Sequence, residues 1–351
     1  MAYSTITKPS DYFNTKLWTG NGGTQSITGI GHTPDFVWIK KRTDADGARI
    51  FDTVRVATKA IFTNSNAEET TVTSELSAFG SDGYTLGASD AVNGNSKNYV
   101  GWNLKANGTG SANTDGSINS TATSANTTAG FSIVKYTGTG ANATVGHGLG
   151  VAPSMILFKN LISSGGSAEH WVVYHKDVGA TKGLYLNLTN AQDTSSAFFN
   201  NTTPTNSVFS LGNADKTNKS GEAQIAYCFA EKTGYSKFGS YTGNGNADGS
   251  FIYCGFKPAF VLVKCSSGTD RWFISDNKRD PDNIVQATLS PNDSAAEYAT
   301  QDWGDFLSNG FKLRRTGDVY NGSGRTYIFM AFAENPLVAN SGTNGVPATA
   351  R

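Results

Sequence analysis

The sequence of 351 residues carries 28 basic and 28 acidic residues, so its formal net charge is zero. A chain without excess charge or a basic run is a poor candidate for binding nucleic acid or an anionic membrane surface by electrostatic attraction. Apolar residues at 38% and aromatic residues at 11% are enough to build cores, which excludes disorder throughout, and 40 glycines favour a β-rich fold with many tight turns.

The N-terminal residues carry no signal for entering or crossing a membrane. Met1 to Ile6 contain neither a basic region nor an apolar one, and no apolar run approaches the ~20 residues of a membrane span. We therefore expect a soluble protein made in a cytoplasm. Residues 1–16 are predicted to form a polar leader in which Tyr12 and Phe13 pack either on the chain's own first module or on a partner chain.

One motif occurs three times in the chain. A Gly and two variable residues precede a Pro, and after one spacer come four apolar residues and a Lys; the prolines are Pro34, Pro153 and Pro258. A short apolar run that follows Gly and Pro is typical of a buried strand entered from a turn. Because the repeat is the size of a small domain, the motif predicts three similar modules and excludes a solenoid of short period.

Each predicted module begins and ends with a strand. The first strand ends in an aromatic residue, a Thr and a Gly-x-Gly, at Trp18, Tyr136 and Tyr241. We interpret the Gly-x-Gly as a tight turn, because a phosphate-binding loop needs a following helix and a Lys-Ser/Thr pair that are missing here. Asp-Gly or Asn-Gly predicts a later hairpin in the first and third copies, and a last apolar strand closes all three.

The predicted fold class is all-β. No stretch shows helical periodicity over three turns, whereas short strands separated by turn signals recur throughout. This pattern favours three tandem antiparallel modules of the β-sandwich or jelly-roll type, each of about 100 residues. The predicted organisation is a leader and attachment segment (1–16), module 1 (17–106), a flexible linker rich in Gly, Ser, Thr and Asn (107–130), module 2 (131–234), module 3 (235–337) and a flexible tail (338–351). Within the linker, residues 115–118 could add a short strand.

No motif assigns a catalytic class, and we predict a protein that is not an enzyme and has no catalytic, cofactor or metal site. The three cysteines form no Cys-x-x-Cys and are expected to be buried free thiols. The four histidines follow no metal-binding pattern. Carboxylates concentrate in module 3, but spacing in a sequence cannot place two of them around one sugar bond. A polar loop at 277–283 offers oxygen atoms to Ca²⁺, which its own Lys278 and Arg279 oppose.

One loop of module 3 is the candidate for contact with a ligand. Trp303 lies in a polar stretch between Asp302 and Asp305, and a ring in such a stretch can stack on a ligand while its neighbours form hydrogen bonds. Trp171 and Trp272 occupy matching strand positions instead, which favours a place in the module cores. The candidate ligand-facing residues are therefore Trp303, Asp302 and Asp305.

The sequence resembles a family of repeat-domain structural proteins in the virions of marine tailed phages. The resemblance is carried by Asp11–Leu17, Pro34–Lys40, Val145–Pro153, Ser236–Gly245 and Ala331–Pro336, which together span nearly the whole chain. It implies a component of the particle, usually a tail-fibre-like or lectin-like one, and it supplies no catalytic residues.

The repeat, the composition and the resemblance lead to one hypothesis and two alternatives. We expect an external virion structural protein of a tailed phage, a tail-fibre or host-attachment component that binds a cell-surface glycan or protein. A capsid decoration protein, acting as cement or head fibre, is the alternative, and a polysaccharide depolymerase is less favoured. The expected location is the surface of the virion, after synthesis in the host cytoplasm.

The expected partners are other virion proteins and further copies of the chain. A homotrimer is favoured by resemblance to phage fibres and because oligomers usually close symmetrically; nucleic acid and membrane insertion are not expected. Modules 2 and 3 offer no heptad or long apolar stripe. Residues 1–16 are therefore predicted to make the assembly contact through Tyr12 and Phe13, with module 3 pointing away from it.

Overall fold

The structure, a computed structural model, describes residues 4–162, 168–339 and 346–347. Its regular structure is almost entirely β, which confirms the predicted all-β class. Helices in the described part are short: a 3-10 helix at Pro9–Asp11 and the α-helices α1 (Asp90–Asn93), α2 (Ser196–Phe199) and α3 (Asp215–Asn218). No helix within these ranges has the length and hydropathy needed to cross a membrane.

Each copy of the repeat supplies its own strands. The first copy has β1 (Phe13–Thr19), β2 (Gln25–Thr28), β3 (Phe36–Lys41), β4 (Arg49–Asp52), β5 (Lys59–Phe62), β6 (Thr70–Thr71), β7 (Leu76–Gly80), β8 (Gly83–Leu86) and β9 (Asn98–Leu104). The second has β10 (Ala122–Asn126), β11 (Phe131–Thr137), β12 (Ala143–Gly146), β13 (Met155–Asn160), β14 (Val172–His175), β15 (Lys182–Tyr185), β16 (Asp193–Thr194), β17 (Val208–Leu211) and β18 (Ala223–Phe229). The third has β19 (Ser236–Thr242), β20 (Phe251–Tyr253), β21 (Phe256–Cys265), β22 (Phe273–Asp276), β23 (Gly304–Leu307), β24 (Gly310–Leu313) and β25 (Thr326–Pro336).

Every copy builds one large and one small antiparallel sheet on the same plan. The large sheets have the strand orders β1-β9-β3-β4-β5-β6, β10-β11-β18-β13-β14-β15-β16 and β19-β25-β21-β22. The small sheets have the orders β2-β8-β7, β12-β17 and β20-β24-β23. A core of its own joins the large and small sheet of each copy, so the predicted β-sandwich is confirmed.

The motif strand of each copy is buried on both faces, which explains why it reads as an unbroken apolar run. In β3, Val37 and Ile39 pack with Ile27 of the small sheet. Phe36 and Trp38, whose side chains leave the opposite face of the strand, pack into a second core. All six residues of β3 are buried as a result.

The second core is shared by all three copies of the repeat. Aromatic rings cross each junction: Phe36 lies 4.9 Å from Tyr227, Phe229 lies 6.4 Å from Phe332, and Phe260 lies 5.9 Å from Trp102, measured between ring centroids. The first copy thus contacts the second, the second contacts the third, and the third contacts the first. The copies form a closed ring around one core, which a tandem arrangement of separate modules does not describe.

Equivalent hydrogen bonds close each junction of this ring. A backbone N–H of one copy donates to the carbonyl just beyond the motif strand of the next: Glu69 to Leu161 (3.0 Å), Gln192 to Ser266 (2.8 Å) and Glu297 to Arg42 (3.0 Å). The Lys of the motif donates back across the same junctions through its Nζ: Lys159 to Asn66 O (3.1 Å), Lys264 to Thr189 O (3.1 Å) and Lys40 to Asp293 O (2.7 Å). Burial lowers the pKa of each of these three lysines to about 8. The motif therefore ends in Lys because this residue joins neighbouring copies.

The Gly-x-Gly segments are tight turns, as predicted. The N–H of the residue between the two glycines donates to a buried Asn side chain of the same copy, Asn93, Asn218 or Asn321, at 2.8–3.0 Å. Gly22 adopts φ +70°, which favours glycine. A Cβ on Gly20 would lie 2.2 Å from the carbonyl oxygen of Gly94, so the turn has no room for a side chain there.

The leader differs from the expectation because it belongs to the folded body. β1 begins at Phe13, inside the segment predicted to precede module 1. Ile6 and Phe13 are buried in the shared core, and the ring of Phe13 stacks on Phe332 of the third copy at 4.7 Å. The third copy therefore lies against the leader, and the expectation that module 3 points away from it is wrong. The apolar inner face of β1 requires this contact at the junction of the first and third copies.

The segment predicted to be a flexible linker is folded onto the second copy. β10 pairs with β11, and Ile118, 7% exposed, forms a bridge with Val145 of β12. Small polar residues such as Thr123 and Ser124 fit an added strand at a sheet edge, a possibility that composition alone does not show. Of the predicted flexible tail, the structure describes only β26 (Val338–Ala339) and β27 (Val346–Pro347), which pair with each other; the rest of it lies outside the described residues.

Candidate binding cleft of the third repeat

The three residues predicted to face a ligand do not form a common surface. Trp303 has no exposed surface, and its ring lies 5.1 Å from that of Phe273 in the core of the third copy. The expectation that Trp303 contacts a ligand is therefore wrong. Asp305 is buried and accepts a hydrogen bond from Arg314 at 2.5 Å, whereas Asp302 is exposed and accepts one from Gln286.

The two aromatic residues predicted to make an assembly contact pack on the chain itself. Phe13 is buried in the shared core. Tyr12 is partly buried, with its ring 6.1 Å from that of Tyr235 and with Lys105 Nζ 6.0 Å from its centroid. Both rings thus serve the junction between the first and third copies. Packing on the chain's own fold was one of the two possibilities considered, although the contact involves the third copy as well as the first.

The cysteines, histidines and carboxylates mostly serve the fold. All three cysteines are buried free thiols, as predicted, and burial raises the pKa of Cys228 and Cys254. Within the described ranges, no group of three or more His, Cys, Asp and Glu side chains could hold a metal ion. The carboxylates concentrated in the third copy form ion pairs: Asp270 with Arg325, Asp276 with Arg279, Glu297 with Arg42 and Asp305 with Arg314.

An open cleft lies in the third copy between the edges of its two sheets. One wall is β19, the edge strand of the large sheet, and the other is β20, the edge strand of the small sheet. The cleft encloses about 380 Å³. We call it the third-repeat cleft; its lining includes Gly239, Ser240, Phe251, Tyr253 and, from the second copy, Lys176 and Asp177.

Two exposed aromatic residues form the rim of the third-repeat cleft. Phe251 is 45% exposed and Tyr253 is 54% exposed, and the buried Ile252 stands between them. Alternate residues of a strand point to the same face, so the two rings lie side by side. Large aromatic side chains with this exposure are typical of surfaces that bind a ligand or a partner.

The fold itself does not require aromatic residues at these two positions. Ile252 pairs with Phe311 in the small sheet of the third copy, as Ile27 pairs with Tyr84 in the first and Val145 with Phe209 in the second. The neighbours of these equivalent residues are Ser26 and Thr28 in the first copy, and Thr144 and Gly146 in the second. Only the third copy has aromatic residues at these positions, so the repeat fold does not account for them.

The floor and the far end of the cleft are defined by β19 and a charged cluster. A Cβ on Gly239 would lie 2.8 Å from the ring of Phe329, so a side chain at this point of the floor would displace that ring. At the end of the cleft, Lys176 and Lys237 both pair with Glu231, at 2.8 Å and 2.7 Å. Burial would raise the pKa of Glu231, but hydrogen bonds from the two lysines outweigh it and lower the pKa. The two lysines therefore favour the ionised form of Glu231.

Sequence reasoning missed this cleft although a signal for it exists. Phe251, Ile252 and Tyr253 together resemble a short buried strand. The informative comparison is between the three copies at the same strand position, and it requires the pairing register that the structure supplies.

The chain belongs to the family described as a domain of unknown function (DUF7483), whose model matches residues 8–336. The match includes all three copies of the repeat, which fits the shared core that unites them in one body. No curated protein matches the chain.

Proposed function

We propose that the chain is an external structural protein of a tailed-phage particle, a tail-fibre or host-attachment component that acts by binding a cell-surface glycan or a protein. The observation that supports binding of a partner outside the chain, on the cell or in the particle, is the pair of exposed rings, Phe251 and Tyr253, on the rim of an open cleft. Aromatic rings offer a large apolar contact area at low cost in conformational entropy, which suits recognition. The location in a virion rests on the resemblance and on the neutral, glycine-rich composition.

A binding role is favoured over a depolymerase by the use of the carboxylates. Glycoside hydrolysis needs two carboxyl groups that face one sugar bond, one of them free to act as an acid. In the third copy, Asp276 and Glu297 are held by buried Arg279, and Asp305 by Arg314. We therefore propose that the protein is not an enzyme.

The proposal is tested by labelling purified particles with gold-tagged antibody fragments raised against the chain. We expect gold on the outside of intact particles, at the tail. Particles that carry the label only after they are opened, or that contain no trace of the chain by mass spectrometry, would contradict the proposal. As a control for adventitious adsorption, purified particles are mixed with the free protein, purified again and labelled in the same way.

A capsid decoration protein is the second candidate, and the closed ring of three copies favours it. Equivalent contacts repeat at three junctions within one chain, and a body of this form suits a threefold position of a capsid. Copy number separates the candidates: many copies per particle indicate the head, and few indicate the tail. A homotrimer remains part of the proposal for the tail component, and light scattering would give three times the chain mass of 37.1 kDa.

A further inference from the structure

The second copy contains its own cleft at the position of the third-repeat cleft, and there the chain fills it. β10 lies along the outer edge of β11, where Thr121 N–H donates to Lys135 O at 2.8 Å. At the opposite wall, Ile118 N–H donates to Thr144 O of β12 at 2.9 Å, and the Ile118 side chain is buried between the sheets. One segment, which folds back on itself where Ser111 pairs with Thr123, thus covers both sheet edges of the second copy, and its strand β10 is the part that extends the large sheet.

The strand pairings make this cleft equivalent to that of the third copy. β11 lies beside β18 with Tyr136 opposite Gln224, and β19 lies beside β25 with Tyr241 opposite Tyr327. Counting back one residue, Ser240 corresponds to Lys135. Because the N–H and C=O of one strand residue point to the same side, Ser240 presents both groups to the third-repeat cleft.

The edge of β19 is available for a further strand at Ser240, whereas nearer its start Ser236 N–H donates to Lys232 O and Phe238 N–H donates to Glu231 Oε2. Among the strands that the structure describes, β19 pairs only with β25 and β20 pairs only with β24. An edge strand of this kind is a template for another strand, and proteins protect such edges unless they use them. In the first copy a lysine protects the corresponding edge. Lys16 occupies the position of Gly239, and its side chain reaches Gly29 just after β2, where its Nζ would lie 3.2 Å from an added Cβ.

We propose that the third-repeat cleft binds an extended segment of another structural protein of the particle, which adds a strand to β19 as β10 does to β11. That the segment comes from another protein of the particle rests on the proposed function. The kind of segment that fits follows from the geometry alone. The second copy defines that chemistry: small polar residues along the sheet edge and one branched aliphatic residue that enters the gap between the sheets. Phe251 and Tyr253 then cover the inserted segment and shield its hydrogen bonds from water.

A polypeptide suits this cleft better than a glycan because of the backbone on its wall. Recognition by β-strand addition uses the regularly spaced N–H and C=O groups of an edge strand, and side-chain pockets add specificity. A glycan could stack on the rings, but it has no matching series of donors and acceptors for β19. The assembly contact is thereby assigned to the third-repeat cleft instead of Tyr12 and Phe13, which the fold itself uses.

The experiment uses the full chain and a synthetic peptide with the sequence of residues 111–126, the segment that fills the cleft of the second copy. Backbone amide hydrogen exchange is followed by mass spectrometry with and without peptide. We expect slower exchange in β19 and β20 and unchanged exchange in β11. A peptide with Ile118→Asp is the matched control and should give no protection, since a carboxylate cannot enter the apolar gap.

Variants of the chain locate the binding. Ser240→Pro removes the outward N–H without affecting the pairing with β25, and it should weaken peptide binding about tenfold, whereas Ser240→Ala should bind like the parent. If Ser240→Pro does not fold, a double variant replaces it in the test. Phe251→Ser with Tyr253→Thr introduces the residues of the first copy and should also weaken peptide binding.

Two other outcomes overturn the inference, and a third overturns only the proposed function. Protection of β19 that appears without peptide as the protein concentration rises would identify a second copy of this chain as the occupant. Oligosaccharides that quench tyrosine fluorescence and that require both rings, with no change in β19 exchange and no peptide binding, would identify a glycan. Peptide binding by a chain that is absent from particles would leave the strand site intact and reject the proposed function.

Discussion

A buried ion pair lies at the junction between the third and first copies. Asp276 and Arg279 have fully buried side chains, and Arg279 Nε donates to Asp276 Oδ2 at 2.6 Å. The same oxygen accepts a hydrogen bond from Trp102 Nε1 of the first copy at 3.0 Å. We expect Asp276→Ala to destabilise the whole ring, because it leaves a buried guanidinium and a buried indole N–H without this acceptor.

The size of the effect follows from burial. Removing one partner of a buried pair typically costs about 3–5 kcal/mol, because the remaining charge is left uncompensated. Glu297 also contacts Arg279 Nη1 at 3.1 Å, so the lower end of that range applies. The assay is guanidinium chloride unfolding followed by tryptophan fluorescence at pH 7, since Trp102 lies at the junction itself.

Two controls separate this explanation from a general effect of losing a carboxylate. Asp248 pairs with Lys312 at 2.5 Å, but its side chain is 80% exposed, so Asp248→Ala should leave the stability nearly unchanged. Adding Arg279→Leu to Asp276→Ala removes the uncompensated charge and should restore part of the lost stability. The reasoning is refuted if Asp276→Ala costs no more than Asp248→Ala, or if the two substitutions at 276 and 279 destabilise additively.

Three further outcomes are expected. Gly20→Ala should destabilise the first copy by several kcal/mol in thermal unfolding, since its Cβ would meet Gly94 O at 2.2 Å, whereas Gly23→Ala in the same turn, with no atom nearer than 3.7 Å, should be nearly neutral. Burial lowers the pKa of His175 to about 4; the unfolded chain therefore binds the proton more tightly, and up to roughly 3 kcal/mol of stability should be lost as the pH falls from 6.5 to 4. His175→Gln should lose less over that range in unfolding titrations, and equal slopes would contradict the assignment. Deleting residues 2–16 should lower the melting temperature markedly, because Ile6 and Phe13 leave the core; an unchanged value would contradict their role.

Much of the fold could be predicted from the repeat, because a buried strand appears in a sequence as a short run of apolar residues. The motif at Pro34, Pro153 and Pro258 predicts the central strands, and the Gly-x-Gly segments predict the tight turns. What an apolar run does not reveal is which partner covers each of its faces. The sequence predicts that Phe36 and Trp38 are buried, but it does not show that the core they enter is shared by three copies.

The errors at the candidate site have a related cause. Polar neighbours in the sequence suggest an exposed Trp303, but the side chains of adjacent residues can differ in direction, and its ring is buried in the core of the third copy while Asp302 is exposed. The cleft could not be predicted because its walls, β19 and β20, come together only through sheet packing. A polar segment such as 107–130 looks like a linker until an edge strand is present for it to join.

The most direct test of the central claim, an external particle protein held through the third-repeat cleft, is the incorporation of variants into particles. A phage that lacks the chain is complemented with the parent, Ser240→Ala or Ser240→Pro, and the copies per purified particle are counted by quantitative mass spectrometry. We expect the parent and Ser240→Ala to be incorporated equally and Ser240→Pro to be largely absent although it is folded in the cell. Incorporation of Ser240→Pro at the level of the parent would contradict the claim.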